Sequence, residues 1–576
     1  MTQKRVALAV AAVVFVLAAC GPAATATPAL TTTPRATATP GGVPASVATA
    51  TPQSVATPTS PKPAATAGPT RGGLIKYAWE ADPQTWDPVS RLEPSIRSKG
   101  NVFSRLFTLW PDPAGQCNSE LTPWLVERWR WVDDRTAEFT IRQGVKFHNK
   151  PPVNGREAVA QDVIFTLNEW VREGLVGPKL KLVQWEAVDK YTFRLKASFP
   201  WGGMVLETLG HDYGPMVMAP ETAGTGGRSW GDPKTAWIGT GAFVFQEWQP
   251  GVKWTMARNP DYWKAGRPLL DGIEYWVMPD ISTQMAAMRA GKINLARGWG
   301  EIQTEDIKRA LPGIQVLRCP ASSNTPGAIF MNTEGPPFND LRVRRAVSMA
   351  IDRQTIVNVP HQGKAIIAPV LRPGIPYAMT VQDFAPEVRQ YLEYHPDRSR
   401  QLLAQAGYPN GIDTVLNIRI YRQQNDQAVW EAVGEMLTQV GIKAKLEFME
   451  YGRYTATVLA AEYPVGQMAG GPVGQRTPEE GHSLANPSFK YGGTTNRSRV
   501  NDPDYEKTLE QFMGATDENR RLELARQLQI RHVDQAYRVV LPFPFELLVL
   551  SPNVRLTGDR STQDRSAQLE TAWIAR

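Results

Sequence analysis

Gly227-Arg228-Ser229-Trp230-Gly231 has the spacing of a nucleophile elbow, the turn that presents a serine oxygen to an acyl carbonyl. That chemistry requires a buried strand before the serine and a helix after it. Here the Gly-rich stretch Pro220 to Gly227 precedes Ser229 and Asp232-Pro233 follows, so the serine reads as a turn residue. A secreted serine hydrolase is the rival class and rests on this match alone. The histidines stand at 148, 211, 361, 395, 482 and 532, with no His-Glu-x-x-His and no cysteine pair at metal spacing. No phosphate-binding glycine loop is present. Asp502, Asp504 and Glu506 carry the charge for a cation site, yet they stand at the head of the amphipathic stretch Tyr505 to Tyr537. There, carboxylates cap a helix and offset its dipole. Cys117 and Cys319 leave two readings open, a bridge in an oxidising compartment or two buried thiols. Without a concentrated reactive set, the chain is expected to bind rather than catalyse, with no metal and no cofactor.

The third cysteine has a different setting. Lys4 and Arg5 precede an apolar run from Val6 to Ala19, and Leu17-Ala18-Ala19-Cys20 is followed at once by Gly21. This is the order of a secretory signal. The run is shorter than the roughly 20 residues a spanning helix needs. The segment around Cys20 resembles a bacterial lipobox, which implies a signal peptide over residues 1–20 and lipidation of the Cys20 thiol. The expected location is the outer face of the cell membrane, in a periplasmic space or at the cell surface. Residues 21–70 are almost wholly Ala, Thr, Pro, Gly, Ser and Val, with no acidic or aromatic residue. Such a segment cannot offset its chain entropy and is expected to be a disordered stalk. In polyproline II form its reach is on the order of 150 Å.

The formal net charge is +7, but Lys4, Arg5, Arg35 and Lys62 lie in the first 70 residues, which leaves +3 for the remainder. No run of Lys and Arg accompanies it, so a nucleic-acid partner is not expected. The remainder is long enough for two or three domains. Ala137 to Ile141 and Tyr191 to Leu195 alternate as half-buried strands do. Thr414 to Tyr421 reads as a strand, and Ala428 to Val440 as a helix with Val429, Val433, Met436, Leu437 and Val440 on one face. Gly441 ends it, and Ile442 to Phe448 alternates again, which makes a βαβ unit. Asn339 or Asp340 can cap a helix striped by Val343, Val347, Ala350 and Ile351, and Gly407 can end one that begins near Pro396. The pattern is α/β in the second half and richer in strands in the first.

Several segments together resemble the family 5 solute-binding proteins of bacterial ABC importers, a group that includes oligopeptide, dipeptide and nickel binders. They are Gly72-Gly73-Leu74 through Thr85-Trp86-Asp87-Pro88; Leu121 to His148 with Ala160 to Val163; and Thr240 to Phe243 with Arg258 to Trp263. Phe330 to Thr333, Pro337 to Arg344 and Ala350 to Arg353 complete the set, in order along the chain. The resemblance implies an α/β, two-lobed periplasmic-binding-protein-like clamp of type II, cluster C. Lobe I would comprise 71–113, 231–318 and 538–576, with 114–230 as an extra domain on it, and lobe II would comprise 319–537. The hinge would lie near Cys319-Pro320 and near Tyr537 to Phe543. The implied protein is a monomer that captures a peptide or similarly sized organic solute by lobe closure and delivers it to ABC permease subunits.

The resemblance also bears on the ligand. Peptide binders of this group commonly hold the amino terminus with an aspartate in a Trp-x-x-Asp-Tyr-like segment, because a buried ammonium needs a carboxylate. The corresponding stretch, Val465 to Arg476, has no Asp, Trp or Tyr, which points toward a sugar or an amine-free solute unless another acid, such as Asp82, Glu80 or Glu479, takes its place. Sixteen of the 18 tryptophans lie between Trp79 and Trp299, which keeps an oligosaccharide as an alternative ligand, beside chelated nickel. The cleft is expected to be lined by Trp79, Glu80 and Asp82, by Thr240 and Gly241, and by Tyr451 and Gln467. Trp79 is placed at the mouth because it ends the first strand.

Overall fold

The computed structural model describes residues 69–83, 85–89, 98–111, 119–172, 183–198, 209, 214–223, 232–320, 327–373, 377–419, 424–459, 463–471, 496–556 and 569–575. Cys20, the stalk up to residue 68, Cys117, Ser229 and Glu479 lie outside these residues, as do the side chains of Cys319 and Tyr451. The first strand, β1 (Leu74–Trp79), shows how alternation builds the core. Ile75, Tyr77 and Trp79 enter one apolar cluster, while Ala78 on the opposite face enters another.

The extra domain contains an antiparallel sheet of β2 (Val126–Trp131), β3 (Thr136–Ile141), β4 (Val183–Ala187) and β5 (Thr192–Ala197), in the order β2-β3-β5-β4. On its buried face Phe139 and Phe193 are paired across the strands with their rings stacked at 5.1 Å. The opposite face carries a row that alternates in sign, with Arg130 to Glu138 at 2.5 Å, Glu138 to Arg194 at 2.7 Å and Arg194 to Glu186 at 2.7 Å. Helix α1 (Ala160–Arg172) packs on β4 and β5 through Val163, Leu167 and Trp170.

The chain then adds β6 (Phe243–Gln249), β7 (Lys253–Arg258), β8 (Gly272–Val277), β9 (Leu295–Arg297), α2 (Glu301–Ala310) and β10 (Gln315–Pro320). It crosses to β11 (Ala328–Met331) and α3 (Leu341–Met349), whose first turn is capped by the Asp340 side chain on the Arg342 N–H. Next come β12 (Ile412–Arg419), α4 (Gln424–Gln439) and β13 (Ile442–Met449). The two strands run parallel, with Ile412 opposite Ile442, so this is the expected βαβ unit. Gly441, at a φ of +92°, supplies the left-handed turn that stops α4. Asp502 accepts the N–H groups of Asp504 and Tyr505 and so caps the helix Pro503–Gly514. After β14 (Met468–Gly471) and β15 (Arg538–Val540), the chain crosses back into β16 (Phe543–Leu550).

Two sheets result. Lobe I has the order β10-β16-β9-β1-β8-β7-β6, extended beside β16 by the two-residue strand Ala365–Ile366. Lobe II has the order β13-β12-β14-β11-β15. Each has its own apolar core, one around Trp79, Trp86, Trp237 and Trp254, the other around Ile329, Val347, Leu416 and Trp430. The chain passes between the lobes at two points, after Pro320 and before Phe543. No helix among the described residues is long and apolar enough to cross a membrane.

Candidate functional site

Register decides which sheet edge faces the other lobe. Strands β1 and β9 are parallel, with Tyr77 beside Leu295, so both end at the level of Trp79 and Arg297. Strand β16 runs against β9 and β10, placing Leu548 opposite Arg297 and Glu546 opposite Cys319. The ends of β1, β9 and β10 therefore share one edge with the start of β16, where the chain crosses. Lys364 of lobe II reaches this edge. Its Nζ is 3.1 Å from Glu301 Oε2 and 3.7 Å from Glu305 Oε1, and Arg318 contacts the same two carboxylates at 3.0 and 3.4 Å. Burial pushes the Glu301 carboxyl up, but hydrogen bonds from Arg318 and Lys364 outweigh it and hold the group below the usual carboxylate range.

At the centre of the lobe I edge, Arg297 lies over the Trp79 ring with its guanidinium carbon 5.1 Å from the centroid. One of its nitrogens is 3.6 Å from Glu80 Oε1 and another 3.9 Å from Glu546 Oε1. These separations give Coulombic attraction but exceed hydrogen-bond length.

The facing edge of lobe II is set by Ala328, which pairs with both Gly471 and Val540, and by Arg419 opposite Met449. Tyr451 begins a helical turn two residues beyond Met449 and so stands on this edge. Tyr454 packs where a side chain on Gly471 would lie, 2.3 Å from its hydroxyl, and Trp430 fills the equivalent space at Gly470. Burial pushes the Tyr454 phenol up against the opposing influence of Arg497 and Arg419. Arg497 stacks over Phe330 at 4.9 Å and accepts the Tyr463 hydroxyl at its carbonyl.

The expected cleft residues are distributed unevenly across this geometry. Glu80 lies on the lobe I edge, its side chain 33 % exposed. Trp79 is a correction, since it is 1 % exposed and packed edge-on to Tyr77, Tyr275 and Trp254. Being the third inward residue of an alternating strand, it belongs to the core rather than to an open mouth. Asp82 accepts the Trp248 indole N–H at 3.0 Å and the Gly251 N–H at 2.5 Å, so both oxygens hold the β6–β7 hairpin.

Thr240 is fully buried, and Gly241 lies against the Asn101 and Val102 backbone, where a Cβ would meet Asn101 O at 2.5 Å. The Gly241 carbonyl accepts Asn259 Nδ2 at 2.9 Å and contacts His148 Nε2 at 3.1 Å. These two residues join segments of lobe I to each other. Gln467 accepts Asn417 Nδ2 at 2.9 Å and precedes Met468, at the end of β14 opposite Gly471. It is therefore on the far edge of the lobe II sheet. Arg297, Glu546, Arg419 and Arg497 were not among the expected residues. Among the described residues, no group of three or more His, Cys, Asp or Glu could hold a metal ion.

This architecture matches known proteins. The profile of bacterial extracellular solute-binding proteins, family 5 Middle, matches residues 120–490. Heme-binding protein A of Haemophilus influenzae is 27% identical over 467 residues, 76% of this chain and 82% of that protein. Di/tripeptide-binding protein 1 of Pseudomonas aeruginosa is 27% identical over 444 residues, 71% of this chain and 78% of that protein. The structure of the ABC transporter-associated periplasmic binding protein DppA from Helicobacter pylori, in complex with peptide STSA, superposes with a TM-score of 0.70. At 23% identity it covers 88% of this chain and 99% of that chain. With two α/β lobes joined at two crossings and a profile match over most of its length, the chain belongs to the bacterial extracellular solute-binding proteins of family 5.

Proposed function

We propose that this protein captures a short peptide, or an organic solute of similar size, between its lobes and hands it to the permease of an ABC importer. The observation that carries the reading is the pair of facing edges. Glu80, Arg297 and Glu546 stand on one, and Arg419 and Tyr451 on the other, beside two chain crossings able to act as a hinge. The relatives named above supply the size of ligand. An oligosaccharide gains less support, because Trp79, Trp86, Trp237 and Trp254 spend their ring faces on one another inside lobe I. Protein purified without denaturant is expected to release peptide masses in native mass spectrometry, and the same peptides should raise its melting temperature by mass action. Masses spaced by hexose units, or a lone metal ion, would refute the reading.

The proposal places the protein outside the cytoplasm, tethered by a lipid on Cys20, and working as a monomer. The order of Lys4, Arg5, the apolar run and Leu17-Ala18-Ala19-Cys20-Gly21 supports the tether. Cys20→Ala is expected to move the protein from the membrane pellet to the soluble fraction after cell fractionation. Continued sedimentation with membranes would rule the lipid anchor out.

A further inference from the structure

We infer that Lys364 of lobe II and Glu301 of lobe I form an electrostatic catch at the hinge, which favours the lobe arrangement seen here and loses its hold as ionic strength rises. The inference goes beyond the solute-binding reading, because it concerns how the lobes are held before any ligand arrives. The two chain crossings are joined by a third connection. Lys364 lies on a segment that leaves lobe II and returns to it: Ile356 before it is buried in the lobe II core, and Ala368 after it is buried with Phe330 and Val540. Between these anchors, Ala365 and Ile366 pair with Pro544 and Phe543, the first residues of β16, where the chain enters lobe I. The segment is thus a strap from lobe II onto the hinge. Its backbone hold is weak, since it is two residues long and one partner, Pro544, has no N–H to contribute.

The side chain at the head of the strap supplies what the backbone lacks. Lys364 Nζ is 3.1 Å from Glu301 Oε2 and 3.7 Å from Glu305 Oε1, both on α2 of lobe I. Glu301 is fixed for this contact. Its side chain is 13 % exposed, and Arg318, two residues before the first crossing, donates to both of its oxygens, from Nε at 3.2 Å and from Nη2 at 3.0 Å. Arg318 belongs to β10, so its bonds to α2 stay within lobe I whatever lobe II does. The Lys364 contact does not. A rotation that carries the strap away from α2 breaks it, which gives the arrangement seen here an energy that other arrangements lack. Because Lys364 is 36 % exposed, solvent ions reach the pair. The screening length falls from about 10 Å at 0.1 M salt to about 3 Å at 1 M, the length of the contact itself.

Lobe separation in the ligand-free protein tests this directly. Azidophenylalanine at Val252 of lobe I and at Asp397 of lobe II, both exposed and on elements other than α2 and the strap, carries spin labels for pulsed electron resonance. At 0.1 M salt, the population at the distance of this structure, relative to all others, is expected to fall about 2- to 5-fold in Lys364→Met, the range of a partly exposed ion pair. Glu301→Gln, which removes the partner instead, should give a fall of similar size, and Lys364→Arg should keep the wild-type ratio. Raising the salt to 1 M should lower the wild-type ratio by the same factor and change Lys364→Met less. Melting temperatures serve as the folding control. A ratio left unchanged by either charge-removing variant, or lowered as much by Lys364→Arg, overturns the inference, as does a wild type that lacks this distance at 0.1 M salt. Broad distributions that coincide in all proteins overturn the catch alone, whereas one narrow distance shared by every protein and salt overturns the hinge of the solute-binding reading with it.

Discussion

Gly239→Ala is expected to cost about 3–5 kcal/mol of stability, or to prevent folding, although it adds a single methyl group. The reason is space rather than backbone conformation. A Cβ at Gly239 would lie 2.2 Å from the Val102 carbonyl oxygen and 2.8 Å from the Phe103 ring. The first obstacle is backbone, so no side chain can rotate away. Val102 is in turn fixed by the Gly241 N–H, which donates to the same oxygen at 2.8 Å, and the Gly239 carbonyl accepts the His148 N–H at 2.8 Å. Relief at one point would therefore break contacts at the others. Gly251→Ala is the control. Its φ of +73° disfavours a side chain, but nothing lies within 4 Å of the added carbon. It is expected to cost only about 1–2 kcal/mol. Urea unfolding of the two variants compares them directly, and a Gly239→Ala midpoint at or above that of Gly251→Ala would refute the packing argument.

The same contrast explains what the sequence disclosed and what it withheld. The β12–α4–β13 unit was legible because every level of the code agrees there. Period-two strands flank a helix striped by Val429, Val433 and Leu437, and Gly441 stops it. Asp502 was legible as a cap for a similar reason, since a carboxylate directly before a proline-led helix has a local use. Trp79 was misplaced although its own strand held the answer. The alternation that buries Ile75 and Tyr77 carries on to Trp79, so its face, and not its place as the last residue of the strand, decides where the ring goes.

Asp82 could not be read. Its partners, Trp248 and Gly251, are more than 160 residues away, and no local pattern announces them. Gln467 depended on strand direction and register, because four residues along β14 separate the far edge from the edge at Gly471. At about 3.3 Å per residue that is on the order of 13 Å. Arg297 carries no local signal, because its strand is three residues long, too short to show alternation. The framework was written locally, and the site at the lobe edges was written in pairings between distant segments.

One of those pairings also makes stability depend on pH. His148 is fully enclosed, with Nε2 3.1 Å from the Gly241 carbonyl and Nδ1 3.4 Å from the Gly239 amide nitrogen. A neutral ring with its proton on Nε2 satisfies both, donating to the carbonyl and accepting from the amide. A second proton on Nδ1 would face the Gly239 N–H, donor against donor. Burial, aided by the positive charge of Lys150 and opposed by the Gly241 hydrogen bond, pushes the His148 pKa down from 6.5 to about 4. The unfolded chain therefore takes up this proton first as pH falls. The contribution of His148 is complete above about pH 6.5 and is lost as pH drops through 4, a loss of about 3 kcal/mol at 1.36 kcal/mol per pKa unit.

His361, buried and likewise pushed down to about 4, adds a loss of the same sign over the same window. Glutamine at position 148 can accept from the Gly239 N–H with its oxygen and donate to Gly241 with its nitrogen, but it does not titrate. Urea unfolding of wild type and His148→Gln at half-unit steps from pH 7.5 to 4.5 separates packing from protonation. The variant can start lower at pH 7.5, but its stability is expected to fall less steeply, by about one proton's worth of slope, or 1.36 kcal/mol per pH unit between the two pKa values. Parallel curves for the two proteins would show that His148 takes up its proton alike in the folded and unfolded states, and the arrangement around Gly239 and Gly241 would then need a different account.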